Sequence, residues 1–240
     1  HNAVDNVVAL INLALLTGHI GRYGSGLVPL RGQNNVQGGG DMGALPNKFP
    51  GFQDVEDEGA RAKFEAAWGA SLPNRNGWHL SQMFEAMERG DLRTLYVIGE
   101  NPAQSEADSQ HARALLEGLE TLIVQDIFLT ETAEFADVIL PATSYLEKTG
   151  TFTNTDRRVQ LGRKVVDPPG DARPDWQIIC ELGNRMGLPM RYDSEADVFD
   201  EFAGLTNNYS GLTHQNLGST GKLWPCSNPE RGDGTQILFG

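Results

Sequence analysis

Between Leu30 and Asn47 the chain reads LRGQNNVQGGGDMGALPN, where five glycines and six amide or acid side chains surround one cation, Arg31. So few apolar residues predict neither a core strand nor a buried helix; the backbone should lie at a surface or against something polar that it binds. Asn, Gln and Asp over glycine backbone offer directional donors and acceptors, the equipment of a binding loop. A mobile linker, the alternative, would favour serine and mixed charge. A second polar group follows short apolar runs. Gly99, Glu100 and Asn101 come after LYVI, with Ser105 shortly beyond, and Gln125 and Asp126 come after LIV. A glycine followed by Glu and Asn lets a ligand approach the backbone while two side chains stay free to hydrogen-bond it. Ser105 is expected to open the next helix, at its positive dipole end. Gln125 and Asp126 suit a nucleobase edge, since a carboxylate accepts two N–H bonds from guanine; Asp126 suits equally the plain role of capping a turn. Asp175, after Pro174, reads as a helix-start acid or as a ligand acid, and the residues alone favour the first.

The elements that must position these groups follow from periodicity. Val4, Val7, Val8, Ile11, Ala14 and Leu15 recur at helical spacing and Gly18 ends the pattern, predicting a helix over 3–17 with one buried face. Two polar-faced helices are expected near 56–68 and 79–89. Leu95 to Ile98, Leu122 to Val124 and Val138 to Leu140 are strand-length apolar runs, the first two separated by a helix around Ala112, Leu115, Leu116 and Leu119. That spacing fits a right-handed βαβ unit, and continuous apolar runs are what parallel strands buried on both faces show. A shorter helix, Glu131 to Ala136, leads to the third run. In such a sheet ligands lie beyond the carboxyl ends of the strands, where the polar groups above fall. Past Ser144 the chain becomes rich in threonine and arginine and should run extended before helices at 175–186 and near 195–204.

Composition narrows the classes of function. The chain has 240 residues, 39% of them hydrophobic, enough for one large domain or two modest ones. Thirty-two acidic against nineteen basic residues give a net charge of −13, which argues against nucleic-acid or anionic-membrane partners. The longest apolar run, Val7 to Leu16, is broken by Asn12 and is too short to insert in a bilayer. Cys180 and Cys226 have no metal-binding spacing and suggest a reducing compartment, and the acidic balance without a recognisable export signal leads to the expectation of a cytoplasmic setting. The five histidines, His1 included, form no metal or triad pattern. Gly38 to Gly43 matches G-x-G-x-x-G as a string, but no strand precedes it, so the match is discarded. With no initiator methionine before the first helix, the chain is expected to be a piece of a longer polypeptide.

Four blocks carry a resemblance. LLTGHIGRYGSGLVPLRGQNNVQGGGDMGALPN, YVIGENPAQSEAD, VQDIFLTETAEFADVILPATSYLEKTGTFTNTDRRVQ and PDWQIICELGNRMG are collinear with, and similar to, the catalytic subunit of molybdopterin-dependent formate dehydrogenases. The resemblance implies a molybdenum or tungsten ion held by two molybdopterin guanine dinucleotides and a cysteine or selenocysteine, oxidation of formate to carbon dioxide, and electrons leaving through a 4Fe-4S cluster to electron-transfer subunits. It implies that Arg31 is the active-site arginine, a charged fork that grips formate. Gln33, Gly99, Glu100, Asn101, Ser105, Gln125, Asp126 and Asp175 would then be dinucleotide contacts, with no metal ligand in this chain. Asn101 stands where relatives often carry aspartate, and Ala142 where some carry serine, which weakens those two contacts.

The cluster cysteines, the metal ligand with its following histidine, and a second dinucleotide domain are missing. The expected fold is therefore an incomplete α/β parallel sheet flanked by helices, an αβα sandwich of dinucleotide-binding type, plus a mixed C-terminal segment. Residues 1–145 would belong to the dinucleotide-binding domain, and 146–240 would form a linking segment and helices of an adjoining domain. Alone, the chain should be inactive and need the remaining segments of its subunit. A related molybdopterin oxidoreductase such as assimilatory nitrate reductase is the alternative, which Arg31 argues against; a noncatalytic nucleotide-binding or assembly module is another.

Overall fold

The structure, a computed structural model, describes residues 2–228, 230 and 234–238, so His1 lies outside the described residues. In chain order its elements are α1 (Asn2–Leu16), α2 (Val36–Asp41), β1 (Lys48–Phe49), β2 (Gln53–Asp54), α3 (Glu58–Trp68), α4 (Leu80–Glu88), β3 (Thr94–Ile98), α5 (Pro102–Ser105), α6 (Ser109–Glu117), β4 (Thr121–Asp126), β5 (Val138–Pro141), β6 (Gly150–Thr153), β7 (Arg158–Gly162), α7 (Asp175–Arg185), α8 (Glu195–Gly204) and β8 (Lys222–Leu223). They divide into two compact units, one made of His1–Asn74, Thr151–Leu161 and Ala196–Gly240, the other of Arg75–Gly150 and Gly162–Glu195.

The first unit is built on aromatic side chains. Phe199 and Phe202 of α8 pack with Tyr209, Leu212, Leu217, Val159 and Cys226, while Phe49, Phe64 and Trp68 form a second aromatic group. Each ring removes a large apolar area from water, so these few residues carry much of the unit's cohesion. β6, β7 and β8 form a small sheet in which β7 and β8 run antiparallel. Gly221, at φ 73°, lets the chain close on β7, since a Cβ there would stand 2.4 Å from the Val159 carbonyl oxygen.

Two expectations fail in this unit. α1 forms where its spacing places it, yet Val4, Val7, Leu10, Leu13 and Leu15 are all more than half exposed. Periodicity sets the helix locally, whereas burial needs a facing surface, and the described residues supply none. The glycine-rich loop does contain a helix, α2, with Gly38 and Asp41 buried. Glycine costs about 1 kcal/mol relative to alanine inside a helix, but here it admits a neighbour. A Cβ on Gly38 would lie 2.1 Å from Asn35 Oδ1. Asn35 itself sits in the left-handed region at φ 60°, and its Oδ1 accepts the Thr153 N–H at 2.9 Å while its Nδ2 donates to the Thr151 carbonyl at 3.4 Å. The side-chain amide thus satisfies backbone groups of β6.

The second unit holds the expected parallel sheet, in the order β3-β4-β5, with Val97 beside Val124 and Ile98 beside Gln125 in one register and Asp126 beside Pro141 in the other. Leu122 and Val124 of β4 are buried with Val97, Ala103 of α5, Leu116 of α6 and Ala133 of a 3-10 turn, Glu131–Phe135. Only β4 approaches the two-sided burial that continuous apolar runs predict. Ile98, Val138 and Ile139 remain exposed, because β3 and β5 are both edges of this three-stranded sheet. α5 ends at Ser105, so that serine closes a helix of four residues rather than opening one; the next helix, α6, starts at Ser109 and is capped by Asp108. Pro102 explains the early start, being favoured in a first helical turn.

Candidate functional site

β3 is followed by Gly99, which takes φ 63° with nothing within 4 Å of where a Cβ would stand. A left-handed residue is needed to turn the chain here, and the open space over it is what close approach of a ligand to the backbone requires. Glu100 follows, exposed, and its Oε1 accepts both the Asn101 N–H at 3.1 Å and the Ser105 hydroxyl at 2.8 Å. Asn101 is fully engaged. Its Oδ1 accepts from the Thr132 N–H and hydroxyl at 3.1 and 2.8 Å, and its Nδ2 donates to Gln104 at 3.1 Å and to Glu131 at 2.6 Å. Asn101 therefore ties the end of β3 to the 3-10 turn and holds the Glu131 carboxyl below its ordinary range. An aspartate could not make the donating half of that set.

At the end of β4 the two neighbours differ. Asp126 is half-buried, and its Oδ1 caps the turn by accepting the Ile127 and Phe128 N–H groups at 2.6 and 3.3 Å. Its Oδ2 has no hydrogen bond among the described residues, so the cap and a ligand contact are compatible in one carboxylate. Gln125 is fully buried. Its Nε2 donates to Asp175 Oδ1 at 2.8 Å, and its Oε1 accepts the Tyr96 hydroxyl. Asp175, the first residue of α7, also pairs through Oδ2 with Lys148, whose ammonium reaches the Thr143 carbonyl at 3.0 Å. Burial, with the Asp175 charge next, pushes the Tyr96 hydroxyl pKa up and keeps it a donor. Gln125 and Asp175 thus stand as one chain, Tyr96–Gln125–Asp175–Lys148, behind the strand ends. Spacing gave no sign of Tyr96 and Lys148, whose partners are distant in sequence.

These seven residues, Gly99, Glu100, Asn101, Ser105, Gln125, Asp126 and Asp175, belong to the second unit and surround the carboxyl ends of β3 and β4. Glycine with open space, an exposed glutamate and a half-free aspartate leave backbone and carboxylate oxygens at this edge open to a polar ligand. Asn101 has both N–H groups and both lone pairs in use, and Gln125 is fully buried with its amide bonded at each end, so the two hold that edge in shape.

Arg31 and Gln33 belong to the first unit, just before α2, and both are exposed. The Gln33 side chain makes no hydrogen bond among the described residues. Arg31 Nη2 donates to Gln37 Oε1 at 3.0 Å, and no ion pair engages its guanidinium among the described residues. One nitrogen is held and the rest of the fork is open, an arrangement able to take a planar anion in two parallel N–H bonds. Among the described residues no group of three or more His, Cys, Asp or Glu side chains could hold a metal ion, and no helix is long and apolar enough to cross a membrane.

Known proteins resemble the chain over nearly its whole length. The formate dehydrogenase H of Escherichia coli is 45% identical over 242 residues, covering 100% of this chain and 34% of that protein. An F420-dependent formate dehydrogenase subunit alpha of Methanocaldococcus jannaschii is 48% identical over 239 residues, 99% of this chain and 35% of its own length. The chain thus spans about a third of the length of these two relatives. Among solved structures, acetylene hydratase from Pelobacter acetylenicus superposes with a TM-score of 0.51 over 68% of this chain and 24% of its own, at 21% identity, a likeness of fold alone. The sequence profile described as Molybdopterin oxidoreductase matches residues 1–185. The chain belongs to the molybdopterin oxidoreductase family.

Proposed function

We propose that this chain is the part of a formate dehydrogenase that presents the substrate-gripping arginine and one guanine-dinucleotide contact surface. Family membership implies a molybdopterin cofactor with molybdenum or tungsten. In the proposed reading it is the bis-(molybdopterin guanine dinucleotide) form, which, when bound, accepts the two electrons released as formate becomes carbon dioxide and a proton. A 4Fe-4S cluster and electron-transfer subunits, outside this chain, carry those electrons on. Residues 1–145 belong to the domain that binds the dinucleotide and 146–240 link it to the next. Arg31 binds formate's two oxygens through its free N–H groups and so orients the C–H bond, a saving of orientational freedom that counts toward the barrier. Gln33, beside it with a free amide, contacts the cofactor. Gly99 admits it to the backbone, Glu100, Ser105 and Asp126 bond its polar groups, and Asn101, Gln125 and Asp175 complete that edge.

The observation that carries this reading is the guanidinium of Arg31, exposed, free of any carboxylate partner among the described residues, and set in a chain 45–48% identical to enzymes named for formate. The test is steady-state kinetics of the full-length enzyme bearing Arg31→Ala. A lost charge-assisted bidentate contact, at about 2–5 kcal/mol, predicts kcat/KM for formate reduced at least about thirtyfold with metal and pterin content unchanged. A value within twofold of wild type overturns the reading.

A further inference from the structure

The side chain that holds Arg31 is itself held. Gln37 lies in the first turn of α2 and its Nε2 donates to Asp41 Oδ1 at 2.8 Å, four residues on and one helical turn away. Asp41 is only 1% exposed, and its other oxygen accepts the hydroxyl of Tyr209, also 1% exposed and packed among Phe199, Phe202 and Trp224. The line of contacts therefore runs from the aromatic core through Tyr209, Asp41 and Gln37 to the guanidinium. All four residues belong to the first unit.

The polarity of the line is consistent at every joint. Tyr209 and Gln37 both donate to Asp41, which suits a carboxylate, an acceptor at both oxygens. With its NH2 turned to Asp41, Gln37 must present its carbonyl oxygen to Arg31, which can only donate. The amide dipole lies between a negative and a positive group and has one favourable orientation. Burial raises the pKa of Asp41, against which the bonds from Tyr209 and Gln37 and the charge of Arg31 pull it back down. Tyr209, buried beside that carboxylate, has its hydroxyl pKa driven far up and remains a donor. A buried carboxylate set one residue from an exposed arginine is costly to keep for folding alone, because an apolar side chain in the same volume would pack without desolvating a charge.

We propose that Gln37 and Asp41 are positioning residues for Arg31: they fix one guanidinium nitrogen to the aromatic core, so that the remaining N–H edge is presented to the substrate carboxylate in one orientation. This rests on the reading of Arg31 as the formate-gripping residue. Without the line, the arginine keeps its charge but samples many rotamers, and each formate bound must order it.

The experiment is a double-mutant cycle in the full-length, cofactor-loaded enzyme, with Gln37→Met, which keeps volume and removes both polar ends, combined with Arg31→Ala. The expected result is KM for formate raised about tenfold in Gln37→Met with kcat changed less than threefold, and no further change when Gln37→Met is added to Arg31→Ala. A wild-type KM in Gln37→Met while Arg31→Ala is impaired overturns this inference and leaves the function standing. An equal added loss in the Arg31→Ala background overturns it too, since that is a general structural disturbance. Wild-type kinetics in Arg31→Ala sinks both. If Gln37→Met does not retain cofactor, Asp41→Asn, which keeps shape and one acceptor for Gln37, enters the same cycle, with a smaller rise in KM expected and the same outcomes decisive.

Discussion

At Asp126 a single carboxylate has two oxygens with different employment. Oδ1 closes the turn after β4 through two backbone N–H groups, and Oδ2 is left without a hydrogen bond among the described residues. Turn cap and base reader, alternatives when only the sequence is considered, are therefore not exclusive. They separate experimentally in Asp126→Asn, whose carbonyl can still cap the turn but whose NH2 would face guanine donors. A hydrogen bond to a charged group contributes about 1.5–3 kcal/mol, so guanine dinucleotide retained by the purified full-length enzyme should fall about tenfold or more. Its melting temperature without cofactor should hardly move. Unchanged dinucleotide content, measured by release of the nucleotide, would assign Asp126 to the turn alone.

Among the elements, the sheet was legible and its edges were not. LYVI, LIV and VIL name β3, β4 and β5 because a parallel strand's apolar continuity is a local property. What covers the outer strands is not local, and the exposure of Val138 and Ile139 could not be read from them. α2 escaped notice because three glycines in six residues argue against a helix, and only Asn35 and Asp41, through partners more than a hundred residues away, show why one forms. Gln37 and Asp41 lie four residues apart, a spacing that means contact only once α2 is known, and Tyr209, which gives the pair its meaning, lies far along the chain. Asn101 teaches the same lesson at the β3–α5 turn, where its bonds reach Thr132 across 31 positions. Thr132 is buried, so Asn101→Ala strands its N–H and should cost about 1–3 kcal/mol. Amide hydrogen exchange at Thr132 in the full-length protein should accelerate accordingly. Exchange as slow as wild type would mean that the turn is held by something else.

On the scale of the whole molecule, the chain spans 35% and 34% of the two formate dehydrogenases, and among the described residues β3 and β5 are the edges of its parallel sheet and α1 presents an uncovered apolar face. The 240-residue chain alone is accordingly expected to show no formate-dependent dye reduction, and turnover by it without further segments would refute that. With a net charge of −13 the chain does not attract formate by its overall field. Charges farther away than the Debye length, about 8 Å at physiological salt, are screened, so capture of a small anion depends on cations at the site, which in the proposed reading means Arg31. Binding can be separated from chemistry with nitrate, a planar anion that has formate's paired oxygens and no hydrogen to lose. In the full-length enzyme, Arg31→Ala should raise the competitive inhibition constant of nitrate against formate about tenfold or more, and an inhibition constant within twofold of wild type would contradict the account.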